Sequence, residues 1–141
     1  MSGAFKGRRE DARLLTGQGR FTADVNLPGQ LFAHFVRSDR AHARIVSIDT
    51  SQARGAAAVF TGEDVAHFKT PPPMVKYPIT VPHRDILARD RVRYVGQEVA
   101  LVIAASAAAA QDAAEAIVIE YQDLPALADA ARAGKRCAPD P

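Results

Sequence analysis

Cysteine is nearly missing from this chain, with Cys137 the single example in 141 residues. One thiol builds neither an internal disulfide framework nor a cysteine-only metal cage, and it falls short of the thiolate set an iron–sulfur cluster takes. Long apolar runs are missing as well. No stretch approaches the roughly 20 apolar residues of a membrane span, and Met1 to Arg9 has no apolar stretch of the secretory kind, so a soluble, cytoplasmic chain is expected. Nor is there an excess of one charge. Against 18 basic residues stand 16 acidic ones, interleaved as in Arg9-Glu10-Asp11-Ala12-Arg13. A net charge of +2 makes no broad field for gripping a polyphosphate, which argues against nucleic acid as a partner. Internal repeats are absent too.

What is present suits one compact core: 141 residues, of which 48% are hydrophobic. Leu27-Pro28-Gly29 is a turn signal that closes an opening stretch mixing Arg, Gly and Asp with isolated apolar residues. From Leu31 to Arg37, alternation puts Leu31, Ala33 and Phe35 on one side and Phe32, His34 and Val36 on the other. Both sides are largely apolar, so a buried strand is expected. Arg44 to Asp49 reads as a second strand. The polar Ser38-Asp39-Arg40-Ala41-His42 between them is expected to turn, making a hairpin.

Asp49-Thr50-Ser51 offers caps for a short helical turn stopped by Gly55, and Ala57 to Phe60 reads as a third strand. Thr61 is placed to cap another helical turn through Asp64. Pro71-Pro72-Pro73 with Pro78 and Pro82 excludes helix and central strand, leaving a long loop that either bridges the domain's halves or lines a substrate approach. Val99 to Ala104 is a nearly continuous apolar run, the mark of a strand covered on both sides. Ser106 caps a helix over Ala107 to Ala116, whose Ala110, Ala113, Ala114 and Ile117 make a small-residue face. Val118 to Tyr121 returns as a strand, so a βαβ unit with a right-handed crossover closes the fold. The class expected is α+β, a small mixed sheet with a C-terminal βαβ unit and short connecting helices.

Several segments, in order, resemble the opening of the molybdenum-cofactor-binding large subunit of the xanthine dehydrogenase and aldehyde oxidase family. They are Leu14-Leu15-Thr16-Gly17 with Gly19-Arg20-Phe21, Leu27-Pro28-Gly29-Gln30-Leu31, and Val36-Arg37-Ser38 with Ala41-His42-Ala43-Arg44-Ile45. Val59-Phe60-Thr61-Gly62-Glu63-Asp64-Val65, Val92-Arg93-Tyr94-Val95-Gly96-Gln97-Glu98-Val99-Ala100 and Glu120-Tyr121-Gln122-Asp123-Leu124-Pro125-Ala126 complete the set. The resemblance implies the α/β hammerhead domain over residues 14–131, with an N-terminal arm over 1–13 and a frayed tail over 132–141. Two departures stand out. Asp39-Arg40 occupies a place where the family often has proline after Arg-Ser, and Gln97-Glu98 one where it often has Glu-Pro.

The same resemblance implies a parent enzyme that hydroxylates a carbon centre, such as an aldehyde or N-heterocycle, with oxygen from water. Its molybdenum sits on a molybdopterin-type cofactor, and electrons leave through iron–sulfur clusters and flavin on other subunits or domains. The cofactor-binding and catalytic segments of that family lie beyond this domain, so the chain is expected to bind no cofactor and catalyse nothing alone. Its role would be structural, its partners the rest of the large subunit and the iron–sulfur and flavin subunits. Two alternatives stay open: an autonomous small-molecule- or pterin-binding module, and a truncated fragment without function.

His34, His42, His67 and His83 are spaced too irregularly for a common metal pattern. Ser38, Asp39 and His42 have triad residue types but crowd one turn without a nucleophile elbow. Gly17-Gln18-Gly19 lacks the third glycine of a dinucleotide fingerprint. The candidate interface residues are Arg37, Ser38, His42, Arg44, Arg93 and Gly96. His42 either fixes the turn or meets a partner; Arg37 and Arg44 either pair locally with Asp39 or Asp49 or reach a neighbouring domain; Gly96 bends the chain before the buried strand.

Overall fold

The computed structural model describes residues 7–68 and 84–129. The proline-rich loop, His83, Cys137 and the tail lie outside the described residues. The chain divides into two units, residues 1–30 and 31–141.

In the first unit a short α-helix, α1 (Asp11–Leu15), starts where the Asp11 carboxylate accepts the Arg8 amide at 2.6 Å. It stops at Thr16, whose hydroxyl turns back onto the Ala12 carbonyl at 2.6 Å. One 3-10 turn, Thr22–Asp24, is closed by the Asp24 carboxylate accepting the Phe21 amide at 2.9 Å. Neither element buries a side chain. Leu15, Phe21 and Leu27 are all well exposed.

The described residues of the second unit form six strands and one helix: β1 (Phe32–Arg37), β2 (Ala43–Asp49), β3 (Ala58–Thr61), β4 (Arg91–Val92), β5 (Glu98–Ala104), α2 (Ala107–Glu115) and β6 (Val118–Asp123). They form two antiparallel three-stranded sheets, ordered β1-β5-β3 and β4-β2-β6. The apolar run of β5 is explained by its central place. The α+β class is as expected, but the sheets are neither single nor mixed.

Three details of the expected arrangement are corrected. β1 and β2 are not a hairpin, because β1 pairs with β5 and β2 with β6. The chain leaves the first sheet at Ser38, where its hydroxyl brackets Arg40 by accepting from the Arg40 amide (2.9 Å) and donating to the Arg40 carbonyl (3.1 Å). β5, α2 and β6 follow one another, but β5 and β6 lie in different sheets, so no parallel crossover exists. The alternation of β6, with Val118, Glu120 and Gln122 exposed, suits a sheet covered on one side only. β1 is an edge strand, half exposed rather than buried.

The connections expected to be helical are turns. Asp49 accepts the Ser51 amide at 2.9 Å. At the next connection the capping roles are reversed, since the Asp64 carboxylate accepts both the Thr61 amide (2.7 Å) and its hydroxyl (2.9 Å). The helix α2 is as expected, with the Ser106 hydroxyl accepting the Ala109 amide at 3.1 Å.

The core has two parts. Ala113 and Ala114 of α2, with Ile117 just beyond its end, pack on Ala100 and Val102 of β5, with Val36 and Val59 beside them. Ala43, Ala88, Val92 and Val99 form the second cluster. Ile48 and Ile119 touch both clusters, which joins the two sheets around a common interior. Among the described residues no helix is long and apolar enough to cross a membrane.

A candidate interaction surface around Ser38 and Gly96

Where β1 ends and β5 begins, four of the six candidate residues meet. The Arg37 guanidinium donates to the Gly96 carbonyl at 2.8 Å and to the Glu98 carboxylate at 2.7 Å. Ser38 gives its amide to the Gln97 carbonyl at 2.9 Å, and its carbonyl accepts from the Gly96 amide at 2.7 Å. Gly96 sits at φ +88°, a left-handed conformation that glycine takes without a Cβ penalty. Arg93 is held by its amide, which donates to the Gln97 side-chain oxygen at 2.7 Å. The turn so fixed projects Tyr94 and Val95, which are 44% and 64% exposed. Arg84 reaches the Tyr94 hydroxyl at 3.3 Å.

His42 and Arg44 lie on the second sheet instead. The His42 carbonyl accepts the Leu124 amide at 2.9 Å, and its Nδ1 lies 2.8 Å from the Pro125 carbonyl. This ring therefore ties the start of β2 to the chain leaving β6. Arg44 stands between Arg91 of β4 and Gln122 of β6. Ala43 beside it is fully buried. Arg37 pairs across the sheet with Glu98 rather than with Asp39, which pairs with Arg40 at 3.4 Å.

Ser38 and His42 spend their hydrogen bonds on backbone, so the Ser38, Asp39 and His42 set forms no proton relay. Two further residues of this region were not among the candidate interface residues read from the sequence. Gln97, at 9% exposure, holds Arg93 and Ser38 at once, through side chain and backbone. The Tyr121 hydroxyl is buried near Ser38 without completing a hydrogen bond, and burial raises its phenol above the usual value. The Ser38 side chain beside it and Arg40 oppose the shift, while the Asp39 carboxylate adds to it.

A shallow charged cleft of about 380 Å³ is lined by Glu63, Asp85, Arg89, Asp90 and Arg93. Arg89 grips both oxygens of Glu63 at 3.3 and 3.2 Å, which raises the guanidinium further. Gly62 makes this possible: a Cβ there would stand 2.7 Å from the Ala88 carbonyl oxygen and 2.6 Å from the Arg89 side chain. In the sequence the Thr61-Gly62-Glu63-Asp64 segment stood out only as a cap and a matching segment, and nothing in it announced the cleft. Among the described residues no group of three or more His, Cys, Asp or Glu side chains is placed to hold a metal ion.

Residues 16–125 match the family model described as aldehyde oxidase and xanthine dehydrogenase, a/b hammerhead domain. The chain is 44% identical to the 6-hydroxypseudooxynicotine dehydrogenase complex subunit gamma of Paenarthrobacter nicotinovorans, over 86% of this chain and 16% of that one. It is 41% identical to the carbon monoxide dehydrogenase large chain of Afipia carboxidovorans, over 97% of this chain and 17% of that one. Among solved structures, quinoline 2-oxidoreductase from Pseudomonas putida 86 aligns with a TM-score of 0.82 at 42% identity, covering 93% of this chain and 17% of the other. The chain thus spans about a sixth of the length of the relatives it matches. On its sequence and its fold alike, it belongs to the hammerhead-domain family of aldehyde oxidases and xanthine dehydrogenases.

Proposed function

We propose that this chain is a structural and assembly module of a molybdenum-cofactor-dependent hydroxylase of the xanthine dehydrogenase, aldehyde oxidase and carbon monoxide dehydrogenase large-subunit type. In this reading it packs beside the cofactor-bearing remainder of the large subunit, in the cytoplasm, and supplies no catalytic group. Arg37, Ser38, His42, Arg44, Arg93 and Gly96 shape and flank the surface it presents. The observation that carries the reading is the match of nearly the whole chain to a 16–17% slice of such large chains.

The charged cleft is a poor fit for the cofactor itself. The cleft at Arg93 sets three carboxylates against two guanidiniums, a balance that repels the anionic phosphate of a pterin cofactor. It is also open and shallow, whereas a cofactor site is concave and largely apolar. Molybdenum, iron–sulfur and flavin chemistry therefore belongs to the partners in this reading. The partners are the remainder of the large subunit and the subunits that carry the clusters and flavin.

The test is co-expression of this chain with the Afipia carbon monoxide dehydrogenase large chain from which the matched segment has been deleted, followed by size exclusion. Co-elution in equal amounts is the expected outcome. Separate elution of two folded species contradicts the proposal.

A further inference from the structure

The first sheet has one face covered and one open. Strand alternation sets Val36, Val59, Ala100 and Val102 against α2, and it puts Ala33, Phe35, Ala58, Phe60, Leu101 and Ile103 on the other side. The register arranges those six in two rows across three strands. Ala33, Ile103 and Ala58 make one row, and Phe35, Leu101 and Phe60 the next. All six are apolar, the composition of a sheet face that another layer covers. Phe35 is nonetheless 42% exposed, and Phe60, Leu101 and Ile103 are only half-buried.

The rows end on a polar border. Arg37 and Glu98 pair just past a bulge that follows Val36, with the Arg37 guanidinium carbon 5.7 Å from the centre of the Phe35 ring. Through its bond to the Gly96 carbonyl, Arg37 joins this face to the turn that exposes Tyr94 and Val95. An apolar centre bounded by a fixed ion pair and an aromatic turn is the anatomy of an interface core with its rim.

Size decides what occupies it. With strands about 4.8 Å apart and a rise of about 3.4 Å per residue, two rows across three strands span on the order of 100 Å² between Cα positions. Even with side-chain width added, that is far below the about 800 Å² per partner of a stable complex between free proteins. Two copies of this chain are not held together by such a face. A layer already kept near by a wider contact or a covalent link needs far less area, because its association entropy is already spent. In the relatives, the matched segment is 16–17% of the chain, so the remaining polypeptide is the neighbour to hand.

We infer that the open face of the first sheet, centred on Phe35, Leu101 and Phe60, docks an apolar segment from the remainder of the large subunit. The inference rests on the assembly reading above. Hydroxyl-radical footprinting read by mass spectrometry tests it on the unmodified chain, alone and in complex with the segment-deleted Afipia large chain. Oxidation of Phe35 and Phe60 is expected to fall several-fold in the complex, while Val46 and Val118, exposed on the second sheet, keep their free rates. A complex in which Phe35 stays as reactive as in the free chain overturns the choice of face but leaves the assembly reading standing. Failure of any complex to form overturns both. Protection of Phe35 in the chain alone, growing with concentration, would mean a second copy occupies the face and would also overturn the inference.

Discussion

At the scale of single residues, the Arg37–Glu98 contact does more than a surface ion pair normally does. An isolated exposed pair contributes roughly 0–1 kcal/mol, but this one also fixes the Gly96 carbonyl and so the whole turn. Glu98 has its carboxyl held below the usual 4.5, first by its own backbone amide and then by the Arg37 guanidinium, with burial opposing. Asp49 and Asp64 are held below 3.8 by the amides and hydroxyls of Ser51 and Thr61. A carboxylate whose folded value is lowered stabilises the fold above its unfolded value and loses that contribution as pH falls through the folded one. Urea midpoints should therefore hold steady from neutral pH down to about 4.5 and drop below it. Glu98→Gln should be less stable than the natural chain at pH 6, with the gap closing in strong acid. A gap that stays constant down to pH 2.5 would show that Glu98 does not titrate with folding.

At the scale of elements, α2 and β5 were legible because each repeats its pattern long enough to be counted. Ala110, Ala113 and Ala114 are buried as their helical spacing requires. Pairing was not legible. Phe35 lies opposite Leu101, and Val59 opposite Val102, contacts between strands far apart in sequence that no local period reports. The hairpin expectation failed because nearness along the chain outweighed the turn chemistry of Ser38, whose hydroxyl bends the backbone into the other sheet. β4, two residues long, is too short to show any period. The small-residue face of α2 sets how closely the helix meets the sheet, with Ala113 only 2% exposed. Ala113→Leu should therefore overpack this contact and lower stability by about 1–3 kcal/mol in chemical denaturation. A change near zero would mean that the helix and sheet have room to spare.

The candidate surface was legible in part at this same scale. Gly96, Arg93 and Ser38 stood out as segments of a resemblance, and the structure brings them together through Gln97. Gln97 stood out only as part of a departure from the family's usual Glu-Pro, and its bracing role shows only once its burial is known. The open apolar face was misread as the mark of a buried strand, because the alternation of Leu31 to Arg37 shows which residues could be covered but not by what.

At the scale of the whole molecule, exposed apolar side chains are spread over a small domain: Phe35, Val46, Tyr94, Val95 and Val118 among them. Scattered exposure of this kind is ordinary, but two apolar rows on one sheet face are not. The central claim is that this chain contributes shape and contact to a larger oxidoreductase and leaves the chemistry to its partners. The most direct measurement is an exchange of domains: residues 16–125 of this chain replace the matched segment of the Afipia carbon monoxide dehydrogenase large chain, and substrate oxidation by the assembled hybrid is assayed. The account predicts that the hybrid assembles and keeps its original substrate preference, while this chain alone turns nothing over. A hybrid that assembles but takes on a different substrate, or turnover by the isolated chain, would contradict it.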